Sequence, residues 1–75
     1  MKVAISGSTG YLGFKLVNAF LRQGVDVLAI TRNINDKLIS LSQEFKTLHI
    51  CESVKENLSF VLQNFSPNVI YSTTC

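Results

Sequence analysis

Three glycines spaced three residues apart form the segment of this sequence best suited to chemistry. They lie in GSTGYLG, directly after a short apolar run and directly before a helical pattern. In such a turn the first glycine gives a tight exit from a strand, the second lets the backbone approach a phosphate, and the third lets the helix pack close to the sheet. Because the first amides and the positive end of the helix face the same point, the loop predicts binding of a dinucleotide pyrophosphate. A purely structural strand-to-helix turn is the alternative. The predicted binding residues are Gly7, Ser8, Thr9, Gly10, Tyr11, Leu12 and Gly13.

The end of the second apolar run bears on which dinucleotide is bound. A site for NAD usually places Asp or Glu there, about 20 residues beyond the glycine loop. This sequence has Thr31 and Arg32 instead. A guanidinium pairs bidentately with a 2′-phosphate and can stack on adenine, so NADP(H) is favoured and NAD(H) is the alternative cofactor. Arg32 as a solvated surface residue is the other interpretation. Asp36 fits a helix cap better than a displaced ribose-binding carboxylate.

The elements that must position these groups alternate along the chain. Short β-branched runs predict buried strands, and apolar residues three and four apart predict amphipathic helices. A third helix is expected to begin at the capping box of Ser53 and Glu56 and to stop before Pro67. The predicted strands are Lys2–Ser6, Val25–Thr31, Thr47–Cys51 and Asn68–Thr73; the other predicted helices are Tyr11–Gln23 and Asp36–Phe45. The predicted inward residues are Leu12, Leu16, Val17, Phe20 and Leu21 in the first helix, Leu38, Leu41 and Phe45 in the second, and Leu58, Val61, Leu62 and Phe65 in the third.

The order of these elements predicts the fold class. Because the connections are short, parallel strands and right-handed crossovers are expected. The prediction is an α/β fold: a partial Rossmann-type, doubly wound parallel sheet of four strands in the order β-α-β-α-β-α-β along the chain.

Length and composition limit the function classes. The 75 residues are 47% hydrophobic with a formal net charge of +2, so one small core near the lower size limit for independent folding is expected. The charges form no basic run, which disfavours nucleic acid and membrane surfaces as partners. Met1–Ser6 lacks the pattern of a signal peptide, so a cytoplasmic location is expected. Cys51 and Cys75 have no metal or redox spacing and are predicted to be reduced thiols, and no metal site is predicted.

The stretch VAISGSTGYLG at residues 3–13 resembles the opening of the extended short-chain dehydrogenase/reductase family. That family includes NAD-dependent epimerases and dehydratases that act on nucleotide sugars. The similarity continues through LAITR at residues 28–32 and through SPNVIY at residues 66–71, which is similar to the family's "KPDVVIH" fourth strand. The resemblance covers the whole chain and implies a nicotinamide dinucleotide cofactor.

The resemblance also implies further cofactor contacts, with two departures. In the family an Asp after the third strand commonly contacts the adenine, whereas Cys51 or Glu52 stands there in this chain. The family's small "HLAA" segment lies beside the cofactor ribose, and here Thr73 and Thr74 fall in that place. These threonines are bulkier and more polar than alanine, so they either crowd the cofactor or supply it a hydroxyl.

The family's catalytic pair is Tyr-x-x-x-Lys, which normally follows the fourth strand. Residues 1–75 are therefore expected to be the N-terminal half of an NAD(P)-binding domain, with the catalytic and substrate-binding part absent and no catalytic residue present. Tyr11 and Lys15 match the pair by letter, but they lie in the phosphate loop and first helix. His49, alone in a short strand, is expected to be a packed or edge residue.

Three hypotheses for function remain. The leading one is the start of an NAD(P)-dependent epimerase, dehydratase or reductase acting on a nucleotide sugar or a related hydroxyl or keto compound. The second is a non-catalytic NADP-sensing protein that resembles NmrA-like members. The third is a truncated remnant, whose exposed first and fourth strands would favour homo-oligomers. The 75 residues alone are expected to bind dinucleotide weakly and to show no turnover.

Overall fold

A computed structural model describes residues 1–53 and 57–73 of the chain. Four strands and three helices alternate along it. They are β1 (Lys2–Ser6), α1 (Tyr11–Arg22), β2 (Asp26–Thr31), α2 (Asp36–Glu44), β3 (Leu48–Glu52), α3 (Leu58–Phe65) and β4 (Val69–Ser72). Every strand pair is parallel, and the strand order is β3-β2-β1-β4. The predicted α/β class with a four-stranded parallel sheet is confirmed.

The two faces of the sheet are covered by different helices. Successive side chains of a strand point to opposite faces, so each strand contributes residues to both sides. Val3 and Ile5 of β1 share a buried cluster with Val17 and Leu21 of α1, and α2 adds to the same cluster. Ala4, between them, lies in a second cluster against which α3 packs. Along the chain, β2 and β3 are therefore added on one side of β1, and β4 is added on the other side. Ligands of open parallel sheets bind outside the carboxyl ends of the strands at such a reversal.

The start of the third helix was predicted wrongly. α3 begins at Leu58, and Ser53 lies in a turn. Asn57 caps the helix in an extended conformation and its side chain accepts a hydrogen bond from Phe60 N at 3.2 Å. Asn and Ser are equally good N-caps. The described helix begins after the later of the two. Glu56, the second half of the expected capping box, lies outside the described residues.

Two expectations about exposure were also wrong. Leu12 was predicted to point inward but is 59% exposed, because the buried stripe of α1 runs through Gly13, Val17 and Leu21. β1 was predicted to be an exposed edge, whereas it pairs with both β2 and β4. Within the described residues the edges of the sheet are β3 and β4. None of the three described helices has the length and apolar character needed to cross a membrane.

Candidate functional site

The turn between β1 and α1 is shaped by close backbone packing. Gly7 has φ +68°, in the left-handed region that favours glycine, and its carbonyl accepts a hydrogen bond from Gly10 N at 3.0 Å. A Cβ on Gly7 would lie 2.7 Å from Thr73 Oγ1 and closer still to the Thr73 carbonyl oxygen. A Cβ on Gly13 would lie 2.8 Å from both the Gly7 carbonyl carbon and Thr73 Oγ1. The expected tight turn at Gly7 and the close helix packing at Gly13 are therefore both present.

The start of α1 presents unused backbone donors. Gly10 is the N-cap and offers no side-chain cap, and the first bond of the helix runs from Phe14 N to Gly10 O at 2.9 Å. The preceding amides, of Tyr11, Leu12 and Gly13, meet no acceptor within residues 1–53 and 57–73. These donors and the positive end of the helix dipole make this turn suited to an anion.

The glycine loop borders a cleft of about 520 Å³ at the carboxyl ends of the strands. Arg32 is its one charged side chain among the described lining residues, and none of them is a carboxylate. Arg32 is exposed, and its guanidinium makes no ion pair or hydrogen bond within the described residues. The cleft is lined by Ser6, Gly7, Thr9, Ile30, Thr31, Arg32, Asn33, Ser53, Leu58 and Thr73.

Ser8 and Thr31 are buried, and their hydroxyl groups are hydrogen-bonded within the protein. Ser8 is fully buried; its hydroxyl donates to Ile5 O at 2.7 Å and its amide donates to Ile30 O at 3.2 Å. Thr31 is 3% exposed, and its hydroxyl is bonded to Thr9 and to Asn33. Both hydroxyl groups therefore stabilise the border of the cleft from within the protein.

Thr73 lies against the glycine loop. Its hydroxyl donates to Ser6 O and lies 3.4 Å from Gly7 O. It packs against the loop glycines, which leave no room for a Cβ beside Thr73; crowding of the cofactor stays a prediction. Its hydroxyl proton is directed at Ser6, although the oxygen retains a free lone pair. Thr74 lies outside the described residues.

Cys51 and Glu52 are not among the described residues that line the cleft. Cys51 forms no disulfide within the described residues; it is 1% exposed and belongs to the core cluster under α3. Glu52 is half-buried and pairs in register with Thr31. Cys75 lies outside the described residues. The described part of the chain contains no cluster of His, Cys, Asp or Glu that could hold a metal ion.

Five lining residues were not anticipated from the sequence: Ser6, Ile30, Asn33, Ser53 and Leu58. Ser6 and Ile30 stand next to predicted residues at strand ends. The signal that could have found them is the meeting of parallel-strand carboxyl ends along one edge of the sheet. Leu58 and Ser53 follow β3, where the predicted helix boundary was misplaced.

The Tyr-x-x-x-Lys match forms a pair on the surface of α1. Tyr11 is 80% exposed, and Lys15 Nζ donates to its hydroxyl at 2.6 Å and lies 4.3 Å from its ring centroid. Residues four apart on a helix meet in this way without further support. His49 is exposed at β3 and contacts the Phe65 ring edge-on, with 5.6 Å between ring centroids.

Comparison with known proteins adds one positive result. The model of the NAD dependent epimerase/dehydratase family matches residues 3–74. No curated protein matches the chain at a significant level. The matched region includes the glycine loop, the four described strands apart from Lys2, and every described residue that lines the cleft.

Proposed function

This chain belongs to the NAD-dependent epimerase/dehydratase family, and we propose that residues 1–75 are the part of its cofactor domain that holds the adenosine and pyrophosphate of NADP(H). The observation that carries the proposal is the juxtaposition, around one cleft, of a glycine loop without room for a Cβ and an exposed arginine that makes no ion pair within residues 1–53 and 57–73. Family membership implies a nicotinamide dinucleotide, and the choice of NADP(H) rests on Arg32.

The pyrophosphate position is supported by the donors at the start of α1. The amides of Tyr11, Leu12 and Gly13 would donate to phosphate oxygens, while the glycines let the ligand approach the backbone. Ser8 would contribute only indirectly, because both its hydroxyl and its amide are bonded within the protein. Thr9, exposed on the cleft, would contribute through the shape of the loop, because its hydroxyl is bonded to Thr31.

The adenosine position is supported by the other end of the cleft. Arg32 would pair with the 2′-phosphate, since no carboxylate among the described lining residues competes for the guanidinium or repels the phosphate. Ile30 and Leu58 are the large apolar side chains among the described lining residues and would contact the adenine ring. Thr31 would support the adenosine end of the cleft, and so would Glu52, which pairs with it in the β2–β3 register.

The chemistry would come from the complete family domain. When bound, the nicotinamide would exchange a hydride with a hydroxyl or keto group of the substrate, for which we propose a nucleotide sugar. The glycine loop and Arg32 would bind and orient the cofactor and would not move protons during the reaction. Purified 75-residue chain is therefore expected to show no NADPH-dependent reduction, and clear turnover by it would contradict this division of roles.

The experiment for the cofactor is a comparison of NADP⁺ and NAD⁺ binding. Both would be titrated into ¹⁵N-labelled chain and followed by NMR, which measures weak binding. NADP⁺ should bind more tightly, and Arg32→Ala should weaken NADP⁺ by about tenfold, the loss of one charge-assisted contact, with NAD⁺ changed by less than twofold. Arg22→Ala is the matched control, because Arg22 is exposed at the far end of α1. Equal affinities and no effect of Arg32→Ala would reject the NADP(H) preference. Binding of neither nucleotide would reject the cofactor role.

We also propose that the chain forms homo-oligomers through β4. Its residues, Val69–Ser72, carry no charge, and Ile70 and Tyr71 are 56% and 38% exposed. An edge strand without a charge or proline is a template for pairing with another chain. Pairing of β4 with its counterpart in a second copy would extend the sheet and cover these side chains.

A further inference from the structure

Thr31 is bonded to three separate loops that border the cleft. Its hydroxyl lies 3.2 Å from the Thr9 hydroxyl of the glycine loop. The same hydroxyl donates to Asn33 O at 2.9 Å and accepts from Asn33 N at 3.3 Å, in the loop before α2. The Thr31 carbonyl accepts from Ser53 N at 2.8 Å, in the turn after β3. Thr9, Asn33 and Ser53 all line the cleft, so one residue joins three parts of its rim.

The hydrogen-bonding capacity of the Thr31 hydroxyl is fully used by these contacts. A hydroxyl has one proton and two acceptor lone pairs. The proton goes to Asn33 O, so Thr9 must be the donor in the bond between the two threonines. The two lone pairs accept from Thr9 and from Asn33 N. Since Thr31 is also 3% exposed, its hydroxyl has neither the access nor the capacity to bond a ligand in this arrangement.

We propose that Thr31 is a positioning residue that locks the glycine loop and the Arg32 loop at a fixed separation, and so sets the affinity for ligands with two anionic groups that span both loops. This inference rests on the proposed function. A ligand that touches both loops benefits from their fixed spacing, because less ordering is required when it binds. A ligand that touches only one loop gains little from the link, since that loop can adjust around it alone.

The test uses Thr31→Val and Thr31→Ser in the full chain. Valine keeps the shape and the strand preference of threonine but removes the hydroxyl, whereas serine keeps the hydroxyl. The probes are NADP⁺, which spans both loops, and adenosine 2′-monophosphate, which reaches only the Arg32 end. Thr31→Val should weaken NADP⁺ by about fivefold, the value of one net hydrogen bond, and the monophosphate by less than twofold. Thr31→Ser should stay within twofold of the unmodified chain for both probes.

A double variant tests the link itself. If Thr9 and Thr31 act through their shared hydrogen bond, Thr9→Val combined with Thr31→Val should weaken NADP⁺ by less than the product of the two single effects. Equal losses for NADP⁺ and the monophosphate, failure of serine to restore binding, or multiplicative single effects would overturn the inference.

A measurement without ligand separates this inference from the proposed function. Amide hydrogen exchange at Asn33 should accelerate several-fold in Thr31→Val and return in Thr31→Ser, while Ser53, which is bonded to the Thr31 backbone carbonyl, should change little. Unchanged exchange at Asn33 would overturn the bond of Thr31 to the loop of Arg32 and Asn33, and with it the proposed lock, whether or not NADP⁺ binds. Changed exchange in a chain that binds no NADP⁺ would uphold only that bond, and would reject both the proposed cofactor role and the effect on affinity.

Discussion

Replacing Gly13 by alanine should destabilise the protein, although alanine is the better helix former. In an open helix, Gly→Ala stabilises by about 1 kcal/mol. Here the added Cβ would lie 2.8 Å from Thr73 Oγ1 and from the Gly7 carbonyl carbon, and nearer still to the Gly7 carbonyl oxygen. An ordinary contact begins at 3.4 Å, so each of these distances is too short by at least 0.6 Å. Because two of these atoms belong to the backbone, α1 must withdraw from the sheet, which loosens the packing of Val17 and Leu21.

The expected net loss is about 2–3 kcal/mol, since overpacking that moves backbone lies at the upper end of its usual range. A domain of this size has about 4–11 kcal/mol in total, so the melting temperature should fall by about 10–20 °C. Circular dichroism during heating and urea denaturation measures both quantities. The matched control is Ala19→Gly on the exposed side of α1, which should cost only the propensity term of about 1 kcal/mol. A Gly13→Ala variant that melts at or above the temperature of the unmodified chain would refute the close-packing argument.

Two further predictions concern α2 and the sheet edge. Asn35→Ala removes the side chain that accepts a hydrogen bond from Leu38 N at 2.9 Å, and it should lower the free energy of unfolding in urea by about 1 kcal/mol. The control is Asn18→Ala, which loses only an exposed hydrogen bond from Arg22 and should cost less than half as much. Equal losses in the two variants would argue against Asn35 as the cap. Ile70→Lys places a charge on β4 and should lower the self-association constant measured by sedimentation velocity by at least threefold. The control is Ile39→Lys, at an exposed position of α2, which should leave self-association unchanged. Unchanged association in Ile70→Lys would exclude pairing through β4.

The features that could be predicted from the sequence are those set by local periodicity and by glycine. Alternating apolar runs predicted all four strands, and the spacing of Gly7, Gly10 and Gly13 predicted a tight turn that the structure contains. The start of α3 could not be predicted, because Ser53 and Asn57 are both good caps and the local sequence does not distinguish them.

The cleft was predicted only in part, because its remaining features depend on distant segments. Cys51 was assigned to the cofactor by its position in the family pattern, but strand alternation turns its side chain toward α3. The bond between Thr9 and Thr31 joins residues 22 positions apart and requires β1 and β2 to be adjacent in the sheet. The sequence marks both threonines as site residues but contains no local signal that they bond to each other.

The most direct test of the central claim is a map of where NADP⁺ binds. Backbone amide shifts of ¹⁵N-labelled chain would be recorded as NADP⁺ is raised to millimolar concentration. The account predicts that the largest changes fall on residues 9–13 and on Arg32 and Asn33, with the shifts at residues 9–13 also produced by inorganic pyrophosphate. Largest changes in the groove between α3 and β3, at residues such as His49 and Phe60, or no changes at all, would contradict it.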